Sequence, residues 1–498
     1  MPLADGLDSS FISSLLFKTT SSHFKYLGIN IPRNHKLLFK LNFQVLIDSI
    51  KAKIDKWTLL PLSLIGRVNI IKMVVLPKFI HLFQNIPIFL TSSFFKTIDS
   101  IILSFTWANK PHRISKAHLQ KPPSEGGLGL PVFRHYYWAC NARTWIFWNS
   151  VSAVPTNYIL QCTKLLSNDF VLGHSLRILK QVRGALCLPD LSIFSPITEN
   201  LSFSPGLMDP VFKLWSELGL HTIKDLYIDN CFASFAQLQS KFILPSAHLF
   251  RYLQIRNFVK HSFAHLDKPP AHSDFYDYLI KNPTSKHLIS QFTTLFTLTA
   301  PTNHIKDAWV KDLEVDISDA LWANGLKKIK ECSVNARLQL IQFKVLHRLH
   351  FSKTKLDSIF PSISSLCDRC KAMEGTLGHL FWSCPRLWSF WAEIFNIYNR
   401  IYDLKLKPDG VLAVLGCSLT SLALRRPLQK ALMFGMIVAK RLILRAWKSP
   451  SPPLFRVWLR DMIACLYIEE VHYRLADTHF KFVEIWGPFL NHINGDST

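Results

Sequence analysis

The amino-acid sequence predicts a mainly α-helical protein with only minor β structure and one small zinc-binding module. Apolar residues recur at helical spacing in most of its regular segments. The 498 residues are 49% hydrophobic and 18% charged, which gives ample apolar surface for packed helices and excludes a disordered chain. Three cysteines and one histidine within residues 367–384 have the spacing of zinc ligands. A chain of this length is expected to form about two to four domains.

The regular structure is predicted to begin with a strand and a long helix. Residues 24–31, FKYLGINI, alternate in polarity as a strand does, and Pro32 ends the run. From Lys36 to Trp57 the apolar side chains form one helical stripe, and nearby lysines lie outside it. The segment Leu59–Pro61 is expected to break this helix.

A second helix is predicted over Leu64–Lys72, with Ser63 as its N-cap and an interruption at Pro77. Gly66 in its first turn costs about 1 kcal/mol relative to alanine. We therefore expect Gly66 to mark a close approach to the helix backbone. Arg67 follows this glycine directly, so a cation lies next to the predicted approach.

Two further helices are predicted on either side of a glycine-rich segment. One runs from about Ser93 to Trp107, and the other follows residues 122–131. The glycine-rich segment has neither the preceding strand nor the following Lys-Ser/Thr of a phosphate-binding loop, so it is predicted to be a turn. Aromatic residues of the second helix could stack on bases, but rings at helical spacing more often pack in a core. They are Tyr136, Tyr137, Trp138, Trp145 and Trp148.

Residues 151–320 contain many proline, serine and threonine breaks. These predict short helices, with loops near 195–210 and 268–273. Asp274 and Asp277 could form a metal-binding carboxylate pair. Carboxylates also favour the first turn of a helix, and this is the simpler interpretation of the pair because Ser273 precedes it.

Two segments of the C-terminal half are strongly basic. Lysine plus arginine exceed aspartate plus glutamate by 58 to 34, a formal net charge of +24, and phosphate backbones are the usual partners of such proteins. Residues 327–355 carry eight basic residues and one acid, and residues 421–448 carry seven basic residues and no acid. Residues 327–355 could be a solvated helix face, but phosphate contact would relieve the repulsion among the cations.

The zinc-binding pattern is C-x2-C-x8-H-x4-C, formed by Cys367, Cys370, His379 and Cys384. Zinc takes four nitrogen or sulfur ligands in a tetrahedron, so this set predicts one structural Zn²⁺ without an open position for catalysis. Gly375 and Gly378 are expected to supply positive φ and close backbone approach in the loop. A Cys367–Cys370 disulfide is the alternative, although the seven other cysteines are scattered.

After Cys384 the chain is again predicted to be helical. Trp388, Trp391 and Phe395 have helical spacing and are expected to pack over the zinc module. Residues 449–453 form a proline-rich linker, and Phe455–Leu475 is predicted to be a last amphipathic helix.

No secretory or membrane segment is predicted. The first 22 residues carry Asp5 and Asp8 and lack a basic region before an apolar core, unlike a signal peptide. The longest apolar region, Leu59–Leu90, is interrupted by charged residues, so no bilayer-spanning helix is expected. We therefore expect an intracellular protein, nuclear or cytoplasmic, with no membrane and no small-molecule partner; the sequence leaves its oligomeric state open.

The order of several rare residues resembles the second open reading frame of LINE-type (non-LTR) retrotransposons. The N-terminal motifs are FKYLGIxI at 24–31, WxxLPLSLIGRVNIIKMxxLP at 57–77, FQNIP at 83–87 and YYWA at 136–139. The similarity continues through FRYLQIR at 250–256 and KxxHR at 344–348 to the Cys/His pattern. It covers roughly residues 20–395.

This resemblance implies a particular domain organisation. Residues 1–32 would be the end of a reverse transcriptase palm with its primer-grip strand, and residues 33–150 a thumb-like helical domain. Residues 151–310 would be a helical connector, residues 311–400 a basic helix with the zinc-binding domain, and residues 401–498 a helical region.

The resemblance also implies RNA or DNA binding through the phosphate backbone. Arg67 and Lys72, on the thumb-like helix, are predicted to contact primer–template duplex. The residues predicted to contact single-stranded RNA are Lys344, Arg348, Lys353 and Lys355.

A polymerase activity is not predicted for this chain. Polymerisation needs paired palm carboxylates that hold two metal ions, and the sequence contains no Asp-Asp dipeptide. The catalytic palm and the endonuclease of the family would lie upstream of Met1. The expected function is therefore that of a non-catalytic, nucleic-acid-binding C-terminal fragment. The alternatives are a degenerate retroelement relic, or part of an active RNA-directed DNA polymerase whose palm precedes this sequence.

Overall fold

The structure, a computed structural model, describes residues 22–150, 170–189, 191–198, 200, 202–263, 268–269, 274–275, 286–297 and 303–495, the side chains of 147–150 and 172 excepted. These residues are mainly helical, and their strands form two small antiparallel hairpins, which confirms the predicted fold class. No helix in this part of the chain has the length and apolar character needed to cross a membrane.

The elements follow one another in this order. Strands β1 (His23–Tyr26) and β2 (Ile29–Pro32) precede helices α1 (Val45–Thr58), α2 (Leu64–Ile70), α3 (Leu76–Asn85), α4 (Ser92–Trp107), α5 (Lys116–Gln120), α6 (Phe133–Ser150) and α7 (Phe170–Ala185). Next come α8 (Ser204–Met208), α9 (Pro210–Glu217), β3 (Tyr227–Ile228), β4 (Cys231–Phe232), α10 (Phe235–Phe242), α11 (Leu249–Ser262) and α12 (Leu288–Leu295). The last helices are α13 (Asn303–Leu313), α14 (Asp319–Glu331), α15 (Ala336–Leu346), α16 (Lys353–Ile359), α17 (Trp388–Tyr402), α18 (Gly410–Leu415), α19 (Leu419–Leu422), α20 (Arg426–Arg445), α21 (Phe455–Leu475) and α22 (His479–Asn494).

The chain divides into two compact units, each assembled from separated segments. The first unit takes its described residues from Met1–Asp55, Met73–Ile101 and Val132–Leu298. The second takes them from Lys56–Lys72, Ile102–Pro131 and Thr299–Thr498. The predicted thumb-like region, residues 33–150, thus contributes to both units.

The single strand predicted over residues 24–31 is instead a hairpin. Strand β1 pairs antiparallel with β2, with His23 opposite Pro32 and Tyr26 opposite Ile29. Leu27 and Gly28 form the turn with φ of 45° and 83°. A two-residue turn with two positive φ angles matches the right-handed twist of paired strands, so the alternating run folds back on itself.

Helix α2 begins as predicted, because Ser63 caps it by accepting the backbone N–H of Gly66 at 3.1 Å. The expected close approach at Gly66 is wrong, since an added Cβ would meet only the Ser63 hydroxyl at 3.4 Å. The predicted interruption at Pro77 is also wrong. Helical structure continues from α2 through a π-helical segment, Ile71–Val75, into α3. Pro77 lies in the first turn of α3, where its missing N–H costs little.

The aromatic helix α6 packs in the core of the first unit, as predicted. Tyr137, Trp138 and Trp145 are buried, and the Tyr137 hydroxyl donates a hydrogen bond to the carbonyl of Ile88 at 2.8 Å. A buried tyrosine hydroxyl needs such a partner, so this ring is held in a fixed position. The glycine-rich segment before it is the predicted turn, with φ of 78° at Gly126.

A second apolar core in the first unit is organised around Trp215 on α9. Trp215 and Phe212 are fully buried, and Tyr252 of α11 donates its hydroxyl to the carbonyl of Ala233 at 2.9 Å. The loop predicted near 195–210 contains the short helix α8. Ser273 and Asp277, which would complete the predicted carboxylate pair or helix cap, lie outside the described residues.

The basic segment 421–448 mostly forms α20, in the core of the second unit. Twelve of its residues between Ala431 and Ile443 are buried. Among them, Lys440 donates its ammonium to the carbonyl of Val414 at 2.8 Å, and burial lowers its pKa to about 7. The apolar face of α20 and Lys440 are therefore inside the protein, so this cation of the basic segment cannot meet a phosphate.

The end of the chain contains one helix more than the sequence predicts. Helix α21 has the predicted bounds, and α22 follows it with Pro488 inside the helix. Trp391 and Phe395 of α17 are buried as predicted, whereas Trp388 is 61% exposed, which corrects the expectation that it packs over the zinc module.

Candidate metal centre and basic surfaces

The first half of the Cys/His pattern forms a small hairpin-like knuckle. The Cys367 N–H donates to the carbonyl of Met373 at 2.9 Å, and the Lys371 N–H donates to the carbonyl of Cys367 at 2.8 Å. Leu366 and Glu374 pair as an antiparallel bridge that closes the loop. Lys371 adopts φ of 55°, the left-handed conformation that lets the chain turn sharply after Cys370. The loop therefore presents two cysteines to one point.

The second half of the pattern places the other two side chains against this knuckle. His379 begins a π-helical turn, His379–Ser383, and Cys384 follows at its C-terminal end. The His379 N–H donates to the Thr376 hydroxyl at 3.1 Å, which fixes the start of the turn. Trp391 of α17 donates its indole N–H to the carbonyl of Phe381 at 3.0 Å and so attaches the turn to the core.

The four side chains form a compact group with the right chemistry for zinc. Their ligand atoms all lie within 4.8 Å of one another, and the Cys370 Sγ is 3.3 Å from the His379 Nε2. A tetrahedral zinc with Zn–S bonds of about 2.3 Å and a Zn–N bond of about 2.0 Å separates its ligand atoms by roughly 3.5–3.8 Å. The residues therefore fit a metal ion. The disulfide alternative is wrong, because Cys367 and Cys370 are free thiols.

The thiols of the group have different electrostatic surroundings. Burial raises the pKa of Cys384 to about 11, although the N–H of Arg386 and the charge of Arg369 oppose this shift. Burial also acts to raise the pKa of Cys370, but hydrogen bonds from the N–H groups of Ala372 and Met373 hold that pKa below its ordinary value. A bound metal would deprotonate all of its thiol ligands.

Arg369 is a buried cation within the knuckle. It is 4% exposed, and one Nη donates a hydrogen bond to the carbonyl of Leu380. Its Nε and other Nη are buried without a protein partner among the described residues. The positive charge of Arg369 also acts on His379, whose pKa is lowered by burial and by this charge. Three thiolates and one Zn²⁺ carry a net negative charge, so a buried guanidinium is a suitable counter-charge.

The two glycines of the loop, Gly375 and Gly378, allow close packing, but neither of them adopts a positive φ. An added Cβ at Gly378 would lie 2.6 Å from the carbonyl oxygen of Asp312, and one at Gly375 would lie 2.8 Å from the Cβ of Lys353. Neither glycine is among the residues with positive φ, so that part of the prediction is wrong. Close approach was predicted correctly, because any larger residue would push the knuckle away from its support.

Arg348, predicted to contact RNA, instead supports the metal module, the segment 367–384 that carries the four candidate ligands. Its Nη2 pairs with the Asp312 carboxylate at 2.8 Å, and the same carboxylate oxygen accepts the N–H of Gly378 at 2.9 Å. Its guanidinium also lies 4.5 Å from the ring centre of Trp309. These contacts occupy the fork that would hold a phosphate, so the structure assigns Arg348 a packing role.

Lys353 and Lys355 of α16 differ although they are two residues apart. The Lys353 ammonium pairs with Asp368 of the knuckle at 3.1 Å, and its side chain is only 18% exposed. Lys355 is exposed to solvent. Of these two, Lys355 is the lysine positioned to meet an external phosphate.

Arg67, predicted to contact duplex, is 5% exposed. Its Nη1 donates to the carbonyl of Phe105 at 3.1 Å, and its Nη2 donates to the carbonyl of Thr58 at 3.4 Å. These carbonyls belong to the C-terminal ends of α4 and α1, where helices leave backbone acceptors unpaired. The expectation of phosphate contact is therefore corrected, because the guanidinium is enclosed by backbone oxygens.

Lys72 is partly buried and also has a protein partner. Its ammonium donates to the carbonyl of Leu128 at 2.6 Å. Burial lowers the pKa of Lys72, and the charge of Lys330 lowers it further. Lys72 therefore lies at the edge of the glycine-rich turn, and one of its three ammonium protons is donated to the protein backbone.

Lys344 lies in a group of cations that the sequence did not single out. The pKa of Lys344 is lowered by burial and by the charges of Arg113 and Lys110. The Arg113 guanidinium lies 4.0 Å from the ring centre of Phe351, and Phe351 is 42% exposed. We call Lys110, Arg113, Lys344 and Phe351 the Arg113 cluster. Among the residues that the structure describes, its three cations have no carboxylate partner.

The sequence missed the Arg113 cluster because its members come from two loops and a helix that are far apart along the chain. Lys110 and Arg113 follow α4, whereas Phe351 lies between α15 and α16. The only local signal was a short basic loop after an aromatic helix end. No protein-family model matches this chain. The resemblance to LINE-type retrotransposons therefore stays a prediction.

Proposed function

We propose that this chain is the C-terminal part of a LINE-type reverse transcriptase polyprotein, and that it binds nucleic acid through phosphates without polymerising it. The resemblance in sequence supports the family. The Arg113 cluster supports the binding, and it is the observation that carries the proposal.

The Arg113 cluster combines the two features that single-stranded nucleic acid requires. Unpaired cations that repel one another gain most from a phosphate, because each neutralised phosphate also releases counter-ions. The exposed Phe351 ring offers a flat surface on which an unpaired base can stack, and such stacking contributes about 1–3 kcal/mol per base. Arg113 lies against the same ring, so a base on Phe351 would have its phosphate near the guanidinium.

We further propose that Cys367, Cys370, His379 and Cys384 hold one structural zinc ion. Four protein ligands leave no position for water or substrate, so the ion would stabilise the module rather than take part in a reaction. A bound ion would fix the knuckle, which the N–H of Gly378 also attaches to Asp312.

The test measures the binding of a fluorescent single-stranded RNA to the full chain over a range of salt concentrations. Arg113→Ala with Lys344→Ala should weaken binding and reduce the salt slope by about two contacts, at about −0.7 per contact. The matched control is Lys405→Ala with Lys407→Ala, which removes two exposed cations elsewhere. An unchanged slope in the first variant, or an equal change in the control, would contradict the proposal and favour a relic without selected function.

A primer-extension assay separates binding from catalysis. With primer, template, dNTPs and Mg²⁺, the chain alone should extend nothing, because two palm carboxylates are needed to hold the catalytic metal ions. Extension that disappears when one aspartate is replaced would favour the alternative of an active polymerase.

A further inference from the structure

The basic segments 327–355 and 421–448, which are far apart in sequence, meet in one solvent-open pocket of the second unit. The pocket has a volume of about 790 Å³ and is lined by the end of α14, the start of α20 and His472 of α21. Its cationic side chains are Lys327, Lys328, Lys330, Arg426 and Lys430. We call this site the basic pocket.

The charge of the basic pocket is largely uncompensated. Glu331, the acidic residue of its lining, pairs with Lys328 at 2.8 Å. Lys327, Lys330 and Arg426 are exposed and have no carboxylate partner in the part of the chain that the structure describes. Lys327 and Lys330 are three positions apart on α14, so their ammonium groups lie on one face of the helix. The pocket therefore concentrates positive charge in a small volume.

The walls of the basic pocket are held in place by internal hydrogen bonds. Glu469 accepts the hydroxyl of Ser333 and, at 2.8 Å, the N–H of Val334. The Gln429 amide donates to the carbonyl of Leu424 at 2.8 Å. Lys430 is directed by the Tyr473 hydroxyl, 2.5 Å from its ammonium. A site whose walls are fixed in advance loses less entropy when it binds a ligand.

The lining of the pocket favours phosphates over bases. It contains no tryptophan, tyrosine or phenylalanine ring on which a base could stack. A nucleic-acid strand carries one charge per nucleotide, so a strand passing through would place few charges opposite five cations. Adjacent phosphates match such a concentration of positive charge better, and the guanidinium of Arg426 can donate two parallel hydrogen bonds to one of them.

We propose that the basic pocket binds a compact run of adjacent phosphates. This chemistry could come from free polyphosphate or from the 5′-triphosphate end of an RNA. The proposal does not depend on nucleic-acid binding by the Arg113 cluster, which lies on other residues of the chain.

The first experiment titrates tripolyphosphate into the full-length protein and measures heat. Saturable binding of about one ligand per chain is expected. Lys327→Ala with Arg426→Ala should weaken it by about ten-fold or more, because each replaced side chain gives up charge-assisted hydrogen bonds. Lys405→Ala with Lys407→Ala is the matched control and should change affinity by less than about two-fold. Absence of saturable binding, or equal weakening in the control, would overturn the proposal.

A second variant guards against a change in folding. Arg426→Lys keeps the charge but removes the planar guanidinium that can donate two parallel hydrogen bonds. Its tripolyphosphate affinity should therefore lie between those of the wild-type protein and the double variant. Far-UV circular dichroism and zinc content should be the same for all variants. The proposal would be contradicted if the double variant lost both affinity and helical signal while Arg426→Lys bound tripolyphosphate as tightly as the wild-type protein.

The last arm identifies the source of the phosphates. RNA of one sequence is compared with a 5′-triphosphate and with a 5′-hydroxyl. Tighter binding of the triphosphate form, lost in Lys327→Ala with Arg426→Ala, would assign the pocket to RNA ends. Tripolyphosphate binding without this difference would assign it to free polyphosphate. Arg113→Ala with Lys344→Ala should retain tripolyphosphate binding, so failure of the two proposals can be distinguished.

Discussion

Replacing Arg348 with alanine distinguishes a packing role from a phosphate contact. In the structure its guanidinium pairs with Asp312, donates to the carbonyl of Ala308 at 3.2 Å and lies over the ring of Trp309. Asp312 in turn holds the N–H of Gly378, next to the candidate ligand His379. Loss of Arg348 should therefore destabilise the metal module and leave RNA binding nearly unchanged.

The expected magnitude follows from the three contacts of Arg348. The side chains of Arg348 and Asp312 are 23% and 13% exposed, so solvent screening reduces their ion pair to about 1–2 kcal/mol. The hydrogen bond to a carbonyl contributes about 1 kcal/mol, and the stacking on Trp309 contributes about 0.5–1 kcal/mol. We expect Arg348→Ala to lower the free energy of unfolding by about 3 kcal/mol.

The assay is urea unfolding of the zinc-loaded protein, followed by tryptophan fluorescence. Arg337→Ala is the control, because Arg337 is an exposed cation in the first turn of α15, the helix that ends just before Arg348, and its loss should change stability by less than about 0.5 kcal/mol. The salt slope of RNA binding is measured on both variants. If Arg348→Ala kept full stability but flattened the slope by about one contact, the packing role would be refuted.

Three further predictions concern the metal centre and the core. Purified protein should contain about one zinc per chain, and Cys370→Ser should release it; less than about a tenth of an equivalent in reduced wild-type protein would contradict the zinc proposal. Arg369→Met should speed zinc transfer to a chelator, because the buried thiolates lose their counter-charge, whereas a rate equal to that of the wild type would show that Arg369 only packs. Lys440 has a folded pKa of about 7, below its ordinary value of 10.5, so the unfolded chain binds more protons between these limits. Stability should therefore rise with pH over that window, by at most about 4–5 kcal/mol, and Lys440→Met should remove this rise; the same rise in both proteins would exclude Lys440 as its source.

The sequence predicted those features that depend on neighbouring residues. Ser63 caps α2 because its hydroxyl is within reach of the N–H three residues later. The bounds of α21 follow from the linker before it and the apolar spacing within it. The cluster of candidate metal ligands was predictable because a knuckle and a nearby turn lie within 18 residues, from Cys367 to Cys384.

The features that failed depend on contacts between distant segments. Arg67 and Arg348 look like surface cations in the sequence, but carbonyls or a carboxylate from elsewhere in the second unit surround each of them. The burial of Lys440 could not be predicted for the same reason, since the carbonyl that accepts its hydrogen bond belongs to Val414 on α18. Conversely, Arg113 became a candidate only when the fold brought the loop after α4 to Lys344 and Phe351.

The most direct test of nucleic-acid binding at the Arg113 cluster is photo-crosslinking. Single-stranded RNA containing 4-thiouridine is irradiated with the full chain at low salt, and the crosslinked peptides are identified by mass spectrometry. Because a base is expected to stack on the exposed ring, the main crosslink should fall on Phe351 or the residues beside it, and Phe351→Ala should abolish it. Crosslinks confined to other surfaces, at full yield in Phe351→Ala, would contradict the proposed binding site.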